Sequence, residues 1–219
     1  MLSITISDIV RQACPQLTLG LVGCEVINTV FNEQLWQEIA QAETEFCQNY
    51  TIEQINKIPA IQATRAAYKA LGKDPNRYRP SAEALCRRIL RDLPLYKINT
   101  LVDVINLISI RTGYSIGGFD ADKIQSDLLL TAGTSEDEFE AIGRGLLNIE
   151  GLPVYKDVHG GIGTPTSDNE RTKLSLESTR LLMIINGYSG NEGIQAAIDY
   201  SVGLLEKYAM ATSIDPKIM

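Results

Sequence analysis

Two kinds of apolar spacing divide this chain, and their order restricts the fold more than any other feature. Between Asn32 and Thr112 apolar residues return every three or four positions, whereas from Tyr114 to about residue 186 they come in short runs broken by glycine. Helices gathered in one stretch and strands in another point to an α+β fold; a doubly wound parallel sheet would alternate the two. Strand-like runs at 2–7 and 17–28 add to the sheet from the N-terminal end. The expected architecture is one domain over 1–219, a mixed or antiparallel sheet flanked by helices. No internal repeat or low-complexity linker divides the 219 residues.

The periodicity predicts a helix from Asn32 to about Tyr50 on Leu35, Trp36, Ile39, Ala42 and Phe46, and a second from about Ala60 to Leu71, closed by Gly72. Gly72 to Pro80 carries two prolines and reads as an ordered loop. Ser81 is expected to cap a helix reaching about Asp92. The next helix, Asn99 to Thr112, has a core stripe of Leu101, Val104, Ile105 and Ile108 and stops at Gly113; Thr100 and Asp103 resemble a capping box. Strands are expected at 114–119, 126–132, 152–157 and about 173–186, and an amphipathic helix from about Glu192 to Met210.

Apolar residues at 44% and charged residues at 21% are globular proportions and exclude a disordered chain. No apolar run reaches the roughly 18 residues that cross a bilayer, and residues 1–8 lack the basic and apolar regions of a signal peptide. Cys14, Cys24, Cys47 and Cys86 are scattered, and His159 is the single histidine. That spacing excludes a thiolate or imidazole metal cage and fits reduced, buried thiols in a cytoplasmic protein. The net charge is −7, yet the window from Arg65 to Lys97 holds nine basic and three acidic residues, leaving −13 for the rest of the chain. Such a face can hold a phosphate backbone, or it can pair with acids of its own chain; Arg77, Arg79, Arg87 and Arg88 are the residues at stake.

Three stretches carry a family resemblance. They are Arg65-Ala-Ala-Tyr-Lys-Ala-Leu-Gly-Lys-Asp-Pro-Asn-Arg-Tyr-Arg-Pro-Ser-Ala-Glu-Ala-Leu85, Ile98-Asn-Thr-Leu-Val-Asp-Val-Ile-Asn-Leu107 and Gly113-Tyr-Ser-Ile-Gly-Gly-Phe-Asp120, with a weaker fourth at Leu174-Ser-Leu-Glu-Ser178. In this order and spacing they resemble the B3/B4 domain, the tRNA-binding and editing module of the phenylalanyl-tRNA synthetase beta subunit, most strongly over 65–180. The resemblance implies the α+β fold, no cofactor or metal, and tRNA or aminoacyl-tRNA rather than DNA or a membrane as partner. It also implies hydrolysis of misacylated tRNA in trans as the activity, without the machinery to charge tRNA. Glu177 matches the glutamate that lines the synthetase's editing pocket. Gly117 stands where that pocket has a histidine and Gly118 where it has an alanine, so the catalytic imidazole is missing and the pocket is expected to be roomier.

Each of these residues has a second reading. Asn99, Asp103 and Asn106 share a helix face that can bind a polar ligand or tie the helix to the segment ending at Asp120. Arg77, Arg79 and Arg111 can clamp a carboxylate or phosphate or bridge to a neighbouring acid. Glu177, expected in a strand between apolar neighbours, needs a cation such as Arg79 or a ligand's ammonium group. An acidic chain that binds an amino acid or related metabolite, with no RNA, is the alternative function.

Overall fold

The structure, a computed structural model, describes residues 2–219. Two four-stranded sheets form its centre. The first comprises β2 (Thr18–Glu25), β3 (Ile116–Asp120), β9 (Arg180–Gly187) and β10 (Thr212–Ile218) in the order β10-β2-β9-β3, antiparallel throughout. The second comprises β1 (Ile4–Ile6), β4 (Leu128–Ala132), β7 (Pro153–Asp157) and β8 (Gly160–Gly163) in the order β1-β4-β7-β8; β1 runs parallel to β4 and the other pairs are antiparallel. The helices are α1 (Asp8–Ala13), α2 (Glu33–Asn49), α3 (Pro59–Ala70), α4 (Ser81–Ile89), α5 (Thr100–Thr112) and α6 (Ile194–Ala209). A small hairpin, β5 (Glu140–Ala141) and β6 (Gly145–Leu146), completes the set. This is an α+β architecture with a mixed and an antiparallel sheet flanked by helices.

The run Leu-Leu-Met-Ile-Ile in β9 explains the layering. Alternate residues of a strand point to opposite faces. Leu181, Met183 and Ile185 enter a core with α2, α4, α5 and α6, whereas Leu182 and Ile184 enter a second core with Phe119, Leu130 and Tyr155. β2 divides the same way, with Val22 and Cys24 toward the helices and Leu19 and Leu21 toward the second sheet. A strand buried on both faces reads as a continuous apolar run.

Helix ends follow local chemistry. The side chain of Asn32 accepts from Leu35 N (3.0 Å) and that of Asn99 from Val102 N (3.0 Å), so each satisfies a helix-start donor. Gly113, at φ 75°, closes α5 in the left-handed conformation. Two expectations are corrected here. Ser81 is the first helical residue of α4 rather than its cap, its N–H donating to Pro165 O (2.8 Å). The start of α5 is no Thr100–Asp103 box: Asn99 is the cap and the Thr100 hydroxyl bonds that of Thr29 (2.6 Å).

The run 173–186 is strand only from Arg180. α1, the β5–β6 hairpin, β8 and β10 lie where no element was expected. β10 contains Pro216, which an edge strand tolerates because a missing N–H there breaks no central ladder. Cys14, Cys24 and Cys86 are buried free thiols, with burial pushing the first two up to about 11 and the third to about 12, whereas Cys47 is exposed. Among the described residues no helix is long and apolar enough to cross a membrane.

Candidate functional site

A cleft of about 430 Å³ opens between α5, the edge strand β3 and the loops beyond β8. Helix α5 gives it one stripe, Val102, Ile105, Asn106 and Ser109, at the three- and four-residue spacing that aligns side chains on a single face. β3 contributes Ile116 and Gly118, two residues apart on one face of the sheet. Leu174 and Lys173 close one side, and the β5–β6 hairpin places Ile142 and Arg144 at another. Asn106 offers its amide; among the described residues it has no hydrogen-bond partner within the chain.

Asp168 is the acidic group of the cleft. Its position follows from a tight turn: Thr164 N and Oγ1 both donate to Ser167 O (2.9 and 3.0 Å), and Thr164 Oγ1 accepts from Ser167 N (3.1 Å). Asn169 N then donates to Ile162 O (2.8 Å), returning the chain to β8. Asp168 O accepts from Ile142 N (3.0 Å), which fastens the small hairpin beside the cleft. The carboxylate accepts one backbone hydrogen bond, from Gly118 N to Oδ2 (3.2 Å), and no cation forms an ion pair with it among the described residues. Burial raises its pKa from 3.8 to about 7 against the lowering effect of Gly118 N–H. Beneath it Tyr155, wholly buried, donates to Asn186 Oδ1 (2.6 Å), and Asn186 Nδ2 donates to Ser115 O (2.8 Å).

The glycines of this region are filled space. A Cβ on Gly118 would stand 2.3 Å from Ile105 Cδ1 and 3.2 Å from Leu174 Cδ1. One on Gly117 would stand 2.6 Å from the Phe119 ring, and one on Gly163 would meet both that ring (2.5 Å) and Asp168 Oδ1 (2.7 Å). The expectation that Gly117 and Gly118 leave a roomier pocket is therefore corrected: Ile105, Leu174 and Phe119 occupy the volume that side chains would need.

The structure separates the other residues singled out from sequence. Asn99 caps α5. Asp103 is buried at the start of the helix, accepting from Ile98 N (3.2 Å) and Trp36 Nε1 (2.7 Å), so of the trio only Asn106 faces the cleft. Asp120 is buried at the far end of β3, where Ser178 Oγ donates to it (2.7 Å) and Lys123 lies at 3.2 Å. Glu177 stands on an exposed turn before β9, not within a strand between apolar neighbours. The expected neighbourhood is present, since Ser178 reaches Asp120, but the Glu177 side chain does not line the cleft. His159 is exposed in the β7–β8 turn, its N–H donating to Asp157 Oδ1 (2.9 Å).

Much of the basic window is paired within the chain. Glu83, 1% exposed, is met by Arg65 (2.8 Å), Arg87 (2.8 Å) and Arg79 (3.6 Å). Arg65 also donates to Pro75 O (3.2 Å) and Asn76 Oδ1 (2.6 Å), which orders the 72–80 loop. Arg111 pairs with Glu45. Arg88 donates to Pro94 O (2.6 Å) and lies over the Tyr96 ring at 4.1 Å, and Arg77 is exposed. Sequence reasoning missed Asp168 because it sits in a Pro-Thr-Ser-Asp-Asn run that has turn-formers and no periodicity.

The chain is 28% identical over 142 residues to the phenylalanine–tRNA ligase beta subunit of Bartonella henselae, an alignment covering 59% of this chain and 16% of that protein. A solved N-terminal fragment of the phenylalanyl-tRNA synthetase beta subunit from Pyrococcus horikoshii aligns with 99% of this chain and 50% of its own length, at 13% identity and a TM-score of 0.47. The model of the B3/4 domain matches residues 63–210, more than half of the sequence, and the chain belongs to that family.

Proposed function

We propose that this B3/4-domain protein receives the aminoacyl group of a misacylated tRNA in the α5–β3 cleft and hydrolyses its ester. The reading takes the 219 residues as one cytoplasmic domain, in keeping with a strand β9 that serves both cores and with free thiols. The observation that carries it is the pairing, in one cleft, of an apolar wall (Val102, Ile105, Ile116, Leu174) with a carboxylate held near neutrality at Asp168. An apolar side chain lies against the wall. Asp168 accepts a proton from the attacking water as that water's oxygen bonds to the ester carbon. The tetrahedral intermediate then expels the ribose hydroxyl, to which Asp168 returns the proton. A base with a pKa near the working pH suits such a transfer. The Asn106 amide, which lines the same cleft, donates to the oxyanion in this reading.

A second reading, binding of a free amino acid, draws on Arg144. Its exposed guanidinium lines the same cleft as Asp168, a pairing that matches the two charges of a zwitterion. A deacylation screen over mischarged tRNAs, run beside calorimetry with the corresponding free amino acids, separates the two. Hydrolysis of at least one ester that Asp168→Asn abolishes supports the first reading. Heat of binding for the free amino acid with every ester left intact supports the second.

A further inference from the structure

Next in the chain to the cleft residue Ile98, the protein carries a group of paired cations and aromatic rings. Lys97 Nζ lies 4.9 Å from the centre of the Phe31 ring and 4.9 Å from that of Trp36, and the Arg88 guanidinium lies 4.1 Å from that of Tyr96. Phe31 is 46% exposed and Tyr96 66% exposed, which is far from the usual fate of large aromatic side chains. Local bonds hold the surface in place. The Trp36 indole donates to Asp103 Oδ2 (2.7 Å), and Thr100 N donates to Thr29 O (2.9 Å), locking the 28–31 segment onto the start of α5. The chain links the surface to the cleft, because Ile98, next to Lys97, lines the cleft together with Val102.

Exposed Phe31 and Tyr96 and half-buried Trp36, each beside a cation, suit one kind of polymer. Bases stack on aromatic faces whatever their identity, and the phosphates between them need ammonium and guanidinium groups at the same spacing. Two of the four arginines that first suggested a phosphate contact are less suited: Arg79 and Arg87, with Arg65, already surround the buried Glu83. Lys97 acts on Asp103 only through space and forms no direct bond to a carboxylate among the described residues, and Arg88 bonds a neutral carbonyl.

From this arrangement we infer that Phe31, Trp36 and Tyr96, with Lys97 and Arg88, form a platform for the unpaired single-stranded end of an RNA and lead that end into the cleft. The inference rests on the reading of the cleft as the site of an RNA-borne aminoacyl group, and it replaces the Glu83 arginines by this platform as the principal RNA contact.

The test uses the whole chain and two uncharged RNA hairpins, one ending in four unpaired nucleotides at its 3′ end and one blunt, with affinity read by fluorescence anisotropy. The overhanging hairpin binds more tightly. Phe31→Ala weakens it by about tenfold, within the range for loss of one stacked base, and Phe31→Trp restores it. Lys97→Ala weakens it and lowers the slope of log affinity against log salt by about one, while Arg77→Ala leaves it unchanged. Equal affinity for the two hairpins, no binding of either, or an effect confined to Arg77→Ala overturns the platform. If the patch instead joins copies of this chain, light scattering shows an oligomer that Phe31→Ala dissociates while RNA affinity stays the same, and the platform is again overturned. Hydrolysis is scored separately. Where the parent chain cleaves a mischarged tRNA, Phe31→Ala raises KM and spares kcat; an unchanged KM removes the platform and leaves the cleft reading standing. Where it cleaves none, the hairpin affinities still decide the platform.

Discussion

The backbone N–H of Gly118 donates to the carboxylate of Asp168 at 3.2 Å, joining two residues fifty positions apart across the floor of the cleft. That single donor does not offset the burial of the charge, and Asp168 titrates near 7 instead of 3.8. A carboxyl group whose folded value is raised costs the native state stability once it ionises, so stability falls as pH rises from about 4 to about 7. Asp168→Asn is expected to remove this dependence, melting close to the parent at pH 4 and above it at pH 8 by about 1–3 kcal/mol, part of the full linkage because the residue is only partly buried. Thermal melts of both proteins at the two pH values check this.

The same group sets a pH profile for catalysis. If Asp168 is the base, ester hydrolysis rises through pH 7 to a plateau, and Asp168→Asn loses it by about 100-fold or more at every pH. Single-turnover rates from pH 5 to 9 read both effects. A flat profile sinks the assignment.

Restoring a histidine at position 117 is not expected to confer activity. Its Cβ would fall 2.6 Å from the Phe119 ring, which is wholly buried between the sheets. Gly117→His should cost about 1–3 kcal/mol or more through overpacking, measured as a lower denaturant midpoint. Gly118→Ala meets only the Cδ1 tips of Ile105 and Leu174, and is expected to cost less.

The Glu83 cluster is structural and should behave so. Glu83→Ala leaves Arg65 and Arg87 without their charge partner around a buried site, and a loss of about 3–5 kcal/mol is expected. Arg79→Ala, at 3.6 Å and 40% exposed, should lose under about 1 kcal/mol. Urea titration of the two variants checks the contrast.

Glu177→Gln, on its exposed turn, is expected to shift stability by under about 0.5 kcal/mol. Calorimetry of the variant with an uncleavable aminoacyl-adenosine decides its role. Unchanged binding leaves recognition to the cleft residues, and a loss moves the aminoacyl group toward the turn.

What could be read from sequence followed how local each cause was. α2, α5 and α6 announced themselves by apolar period and by Asn32, Asn99 and Gly113, all signals carried within a few residues. β10 did not, because Pro216 argues against a strand until the antiparallel partner β2 is known. Asp103 and Asn106 are three residues apart on one helix, yet the first is turned to Trp36 and the second to the cleft. Sequence spacing places residues on a face; only packing decides which flank of that face opens. Glu177 failed as a buried residue for a similar reason, since the strand assumed around it begins at Arg180.

The order β10-β2-β9-β3 has a consequence for how the chain reaches this state. β2 comes early in the chain, but both its neighbours come from residue 180 onward, and Thr18 pairs with Gly187. During synthesis Leu19, Leu21 and Val22 therefore wait without a partner strand while more than 150 further residues emerge. Closing so long a loop is slow, and an apolar strand left unpaired meanwhile is open to other chains. The arrangement makes β2 the segment whose early occupancy, by a chaperone or by another strand, governs the yield of folded protein.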